Sequence, residues 1–274
     1  MTTSPNAAQV AGAPRIEAAI RRAGAEGRPA IAAFLTAGFP SLDGFRDIVL
    51  RVAEAADVVE LGVPFSDPMA DGVTIQEASR VALAGGVTLE WILDLVADLE
   101  LGVPVVLMSY LNPLLTMEHD VLASRARAAG VDGFIIPDLP YEESEPMRRA
   151  LEPADLALVQ LVTPLTPRAR RRRLAEASSG FLYAVTRTGT TGAVERGSGI
   201  DGLSEYAVDL RAVSPCPVLA GFGVRTADQV RRLHGRFDGV IVGSALIEQL
   251  MAGGDPAAFL RELCSPFPLE PDDP

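Results

Sequence analysis

Two carboxylates raise the question of chemistry. Glu60 lies in the apolar run Val58-Val59-Glu60-Leu61-Gly62, and Asp71 follows in the Pro- and Gly-punctuated stretch GVPFSDPMADG. A carboxyl at the end of a strand that faces an enclosed mouth is partly desolvated. Desolvation raises its pKa and suits it to giving and taking a proton near neutral pH. The competing reading of Glu60 is a salt-bridged acid that caps the strand, and position alone weighs the two equally. Asp67 precedes Pro68 and Asp71 precedes Gly72, so turn chemistry accounts for either residue, and it is the better account of Asp67. All 24 basic residues are Arg, with no Lys, which rules out Schiff-base catalysis and a covalently held pyridoxal phosphate. His119 and His234 are the only histidines, too few for a three-His zinc site.

Three further segments carry chemistry-bearing types. Tyr183 opens a hydroxyl-rich stretch, YAVTRTGTTG, that ends at Gly192 and continues through small residues to Gly199. A connection of this length is a candidate lid, and Gly192 can offer a backbone amide to an anion. Gly221-Phe222-Gly223-Val224 and Val242-Gly243-Ser244-Ala245 each follow an apolar run and precede a helical pattern. Glycine there lets a ligand approach the backbone, and a helix N-terminus attracts phosphate. Other conspicuous residues have blander readings. Arg168–Arg173 (RARRRR) fits a solvated helix face, the two histidines fit the surface, Trp91 fits packing, and Asp138 in PDLP fits a structural role.

The elements that position these residues alternate. Apolar runs at Ala30–Thr36, Val58–Gly62, Val103–Ser109, Gly133–Ile136, Leu156–Val162, Phe181–Val185, Val218–Gly221 and Gly239–Val242 read as strands covered on both faces. Between them, Leu42–Ala56 and Leu89–Leu99 repeat apolar residues at helical spacing, and Thr166 before Pro167 reads as an N-cap for a helix through Ala177. Arg15–Ala25 is an extra helix before the first strand. Eight such units predict α/β architecture, a single (β/α)8 TIM barrel with an extra N-terminal helix, over residues 14–264. Residues 1–13 are expected to be a disordered tail and 265–274 an acidic one. A doubly wound open sheet is the alternative, weakened because no GxGxxG follows the first strand. A formal charge of -12 disfavours nucleic acid and anionic membranes as partners. No run is long enough to span a bilayer. Cys216 and Cys264 lack CxxC spacing and fit free thiols in a reducing cytoplasm.

In order and spacing, LTAGFP, ELGVPFSDPMADG, GFIIPDLPYEES, YAVTRTGTTGA, AGFGVRTADQV and GVIVGSALI resemble the motifs of the tryptophan synthase alpha subunit family, from about Arg15 to about Leu263. The resemblance implies retro-aldol cleavage of indole-3-glycerol phosphate to indole and glyceraldehyde 3-phosphate, with no metal or organic cofactor on this chain. It implies that Glu60 is the general acid/base and that Asp71 stabilises the positive charge developing on indole. Tyr183 would lie beside the reacting groups. Gly192, Gly223, Gly243 and Ser244 would hold phosphate, while Phe34, Met108, Ile135 and Phe222 would line the indole pocket. Arg187 and Thr191 would belong to a closing lid. The implied partner is a pyridoxal-phosphate beta subunit in an α2β2 complex, docked on the catalytic face including Tyr110–Pro113. Other readings are a free-standing indole-3-glycerol phosphate lyase and a catalytically silent partner subunit. The chain departs from the family pattern at Val73, where Pro is usual, at Thr190, where an apolar residue is usual, and across Leu114–His119, which lacks an aromatic-Gly pair.

Overall fold

The computed structural model describes residues 12–186, 203–221 and 223–264. Eight parallel strands close on themselves in sequence order: β1 (Ala30–Thr36), β2 (Val58–Gly62), β3 (Val105–Met108), β4 (Gly133–Ile135), β5 (Ala157–Val162), β6 (Leu182–Val185), β7 (Val218–Gly221) and β8 (Gly239–Val242). The helices are α1 (Ala13–Ala25), α2 (Leu42–Ala53), α3 (Val73–Ala84), α4 (Leu89–Ala97), α5 (Leu111–Leu114) and α6 (His119–Ala129). They continue with α7 (Glu145–Leu151), α8 (Arg168–Ala177), α9 (Ser204–Val213), α10 (Ala227–Leu233), α11 (Ser244–Met251) and α12 (Pro256–Leu263). The expected barrel is therefore present. Its third strand and its second and fourth helices are shorter than the apolar patterning suggested.

The two-residue period of a strand sorts the barrel wall into two faces. Ala30, Ala32, Val58, Val106, Ile135, Ala157, Val159, Phe181, Tyr183, Leu219 and Ile241 pack into one inner cluster. Their neighbours Ile31, Leu35, Val59, Leu61, Leu107, Phe134, Leu158 and Leu182 face outward against the helices. Both sides are buried, so the strands read as continuous apolar runs. Ile16, Ile20 and Ala23 of α1 join the inner cluster, so the extra helix plugs the N-terminal end of the barrel. Ile16 and Ile20 are 0% and 1% exposed. Each such side chain contributes roughly 1.5–3 kcal/mol by leaving water.

That N-terminal end is stitched by a repeated device. Asp57, just before β2, accepts the Ile31 N–H at 2.8 Å and a two-point contact from Arg28. Asp132, just before β4, accepts the Val105 N–H at 2.9 Å, and Asp238, just before β8, accepts that of Val218 at 2.7 Å. Between β5 and β6 the same task falls to Ser178 and Ser179, whose hydroxyls accept the Gln160 and Leu158 amides. Asp132 also holds α1, through the Gly12 N–H and Arg15. Gly12 and Ala13, expected in the tail, thus belong to the start of α1, and Gly12 takes a φ of 63° that favours glycine. The rest of the two expected tails lies outside the described residues.

One expected cap is corrected. Pro167 itself stands at the N-cap of α8. The Thr166 hydroxyl instead accepts the Thr163 N–H at 3.0 Å, which closes the preceding turn. Arg170 and Arg172 on that helix pair with Glu142 and Glu176, as a solvated face does. Asp138 accepts the Leu111 N–H at 2.8 Å and so fixes the start of α5, the structural role expected of it.

Candidate active site

Glu60 is the anomaly of the inner face. The strand register sets it level with Phe34 of β1 and Val106 of β3. Its side chain follows Val58 inward, near the C-terminal end of the barrel. It is 1% exposed, and neither carboxyl oxygen has a hydrogen-bond partner. No salt bridge reaches it among the described residues, so the strand-capping alternative fails. Burial pushes its pKa up to about 8, with a smaller push from the charge of Asp71. At neutral pH this burial favours its protonated form.

Asp71 reaches the same mouth from the loop after β2. A turn places it, the Asp71 N–H bonding to the Pro68 carbonyl, and Gln76 holds its own carbonyl. Burial raises its pKa to about 6, and a hydrogen bond from the Tyr110 hydroxyl opposes that rise. The two carboxyls therefore part, with Glu60 holding its proton to higher pH than Asp71. Separation of this kind assigns acid and anion roles within a pair.

Tyr110 escaped the sequence reading as a site residue, although YLNP was placed on the catalytic face. Its hydroxyl accepts the Ala70 N–H at 2.8 Å, which leaves its own proton for Asp71. Its ring packs on Phe65 with centroids 5.3 Å apart. The signal was available, because Tyr110 directly follows the third strand, where barrel chemistry resides.

Tyr183 points inward from β6 and is 4% exposed. Burial, then the charges of Glu60 and Asp71, hold its phenol well above the usual value, so it remains a neutral donor. Its ring lies over Gly221 of the neighbouring strand, where any Cβ would come within 2.3 Å of ring carbon. Phe34 lies across the mouth: a Cβ on Gly62 would meet its ring at 2.5 Å, and one on Gly243 would touch it at 3.5 Å. Phe34, Gly62, Asp71, Met108 and Tyr110 line a cleft with about 300 Å³ of free space. Ile135, fully buried, sits in register with Met108. Of the four residues expected in the indole pocket, Phe34 and Met108 line this cleft, Ile135 is not among its lining residues, and Phe222 lies outside the described residues.

The two expected anion loops differ. Gly243 is the N-cap of α11 and no side chain caps that end, so the first-turn amides of Ser244 and Ala245 remain to meet a ligand. α10 is otherwise. Its N-cap Thr226 forms a capping box with Gln229, whose side chain also takes the Arg225 N–H. That helix satisfies its own donors, so what the β7 loop offers is Gly223, exposed and at a φ of 89°. Glu248 of α11 pairs with Arg225 and accepts the Thr74 hydroxyl at 3.3 Å, which ties the β7 loop to the start of α3. Arg187, Thr191 and Gly192 lie outside the described residues.

With the geometry in hand, comparison with known proteins is decisive. The sequence model of the tryptophan synthase alpha chain matches residues 20–263. The chain belongs to the tryptophan synthase alpha chain family. The alpha chain of Nitratidesulfovibrio vulgaris is 44% identical over 256 residues, covering 91% of this chain and 97% of that one. That of Deinococcus radiodurans is 39% identical, covering 97% and 98%. Among solved structures, Mycobacterium tuberculosis tryptophan synthase superimposes with a TM-score of 0.84 at 35% identity, covering 93% of this chain and 98% of that one. Membership makes the chain a carbon–carbon lyase acting on indole-3-glycerol phosphate. The family departure at position 73 is accommodated locally. Val73 takes the first helical position of α3 behind the N-cap Gly72, a place where proline is common because its N–H has no helical partner in any case.

The buried acid carries a stability signature. The folded pKa of Glu60 lies above the unfolded value of 4.5, so the folded chain holds a proton that the unfolded chain releases. Stability is full below about pH 4.5 and declines as pH rises toward about 8, by a total on the order of 5 kcal/mol. Thermal melts of Glu60→Gln and wild type should accordingly diverge between pH 5 and pH 8, the variant losing less. Parallel pH dependences would show that Glu60 ionises freely in the folded chain.

Proposed function

We propose that Glu60 and Asp71 together perform the cleavage. The reaction must turn C3 of the indole ring tetrahedral before the bond to the glycerol chain can break. Glu60, neutral and unpartnered, gives its proton to C3. The resulting cation is shared with the ring nitrogen, whose N–H faces the Asp71 carboxylate. Removal of the proton from the adjacent glycerol hydroxyl turns that C–O into a carbonyl. The C–C electrons return to the ring, and indole leaves. Glu60, now a carboxylate, takes that proton and is reset for the next cycle.

The observation that carries this reading is the state of Glu60, a fully buried carboxyl with two empty oxygens beside a second, charged one. Tyr183 is assigned to hold the reacting hydroxyl, and the phosphate is assigned to Gly223, Gly243 and Ser244, with Gly192 closing from the lid. Arg187 and Thr191 are assigned to that lid.

We infer further that a beta subunit docks on this face in an α2β2 complex and receives the indole. Met69 and Val73, which flank Asp71, are 79% and 67% exposed, and Leu165 on the loop after β5 is 78% exposed. Apolar side chains so placed suit a partner that covers the mouth. Indole release from indole-3-glycerol phosphate, with and without a beta subunit, tests the whole reading. Strong activation supports it. Full turnover by the chain alone indicates a free-standing lyase, and no indole under either condition rejects the catalytic roles.

Tyr110 has a role in this scheme that can be separated from folding. Its hydroxyl lowers the Asp71 pKa, so Tyr110→Phe should move the acid limb of the rate profile to higher pH and cut turnover near pH 6 several-fold. An acid limb that stays in place would show that the hydroxyl leaves Asp71 untouched.

A further inference from the structure

A second cavity lies outside the barrel wall, on the far side of Pro137 from the catalytic cleft. It adjoins roughly 810 Å³ of free space, part of it open to solvent, between the loop after β4, strand β5 and helix α8. Among the described residues, only Pro137 borders both spaces. Gln160 is its central feature. Its neighbours Ala157 and Val159 belong to the inner cluster and Leu158 and Val162 to the outer one, so the pleat turns Gln160 outward. The outer layer is otherwise aliphatic along β5. Gln160 is 7% exposed, lines the cavity, and its side-chain amide has no hydrogen-bond partner among the described residues. The amide is open to the space of the cavity, where the polar edge of a ligand can meet it.

We propose that this cavity binds a small neutral molecule that presents a carboxamide or lactam edge on an apolar body. The amide of Gln160 offers one acceptor and two donors in a plane, and the group that answers both at once is another amide. Leu139, Leu158 and Leu174 supply the apolar walls. Charge selects against an anion. Arg170, the cation at the rim, is held by both oxygens of Glu142 at 2.7 and 2.9 Å, and Asp138 is held by the Leu111 N–H. The size is that of a small-molecule pocket, and polar and apolar groups share its lining.

The probe is benzamide, titrated into the full chain and followed through the side-chain amide resonances of Gln160. Saturable binding is expected, weakened at least tenfold in Gln160→Leu. Benzoate and benzylamine, with the same ring, should bind at least tenfold more weakly to wild type. Gln160→Leu fits the aliphatic surroundings and keeps the backbone bond to Ser178, so indole release should be unchanged. Gln160→Phe, which fills the space, should abolish binding while the chain remains folded. No saturable binding by wild type, equal binding by Gln160→Leu, or displacement of benzamide by glycerol phosphate would each overturn the proposal.

Discussion

Glu60→Gln should lower kcat for indole formation by about 10²–10⁴ while substrate still binds within a few-fold of wild type. The substitution preserves volume and keeps polar atoms beside Phe34 and Val106, so the barrel wall is not perturbed by size. What it removes is the proton that moves. In the proposed cycle the same carboxyl acts first as acid and then as base, so no part of the chemical step survives its loss. No other described residue can take over easily. Tyr183 is near, but its phenol is held well above its usual pKa and gives up a proton reluctantly. Turnover within tenfold of wild type would show that another group protonates the ring.

Asp71→Asn should reduce kcat by about 10²–10³, with KM little changed. The amide oxygen can still accept from the Tyr110 hydroxyl and from an indole N–H, so the pose survives while the charge does not. The loss therefore falls on the transition state, where positive charge has developed, and spares the ground state. A second effect separates this from simple misplacement. Asp71 is one of the two causes that raise Glu60. Neutralising it should move the alkaline limb of the residual activity to lower pH. A normal kcat, or an alkaline limb that does not move, would remove Asp71 from the reaction.

Much of this was legible in the residues, for physical reasons that can be named. Parallel strands buried on both sides must be continuously apolar, so β1, β2, β7 and β8 were read to their end residues. Glu60 stood out because the same rule forbids an acid there. Other features depend on contacts between distant segments. Tyr110 reads as one aromatic after a strand until the fold sets it against Ala70 and Asp71. The capping box of Thr226 and Gln229 decides that α10 keeps its own amides, while the glycines before it suggested an open anion site. Thr166 looked like a cap by type, but a nearer amide, that of Thr163, claimed its hydroxyl. The three aspartates below the barrel were invisible as a set, because their shared role appears only when adjacent strands are aligned.

The central claim is that the reaction begins from a protonated Glu60 beside an ionised Asp71. The dependence of kcat for indole release on pH, from 5 to 10, tests it most directly. The account predicts a profile that rises as Asp71 ionises near about 6 and falls as Glu60 loses its proton near about 8. A rate that keeps climbing through pH 9 would require Glu60 to start as the carboxylate, and would contradict it.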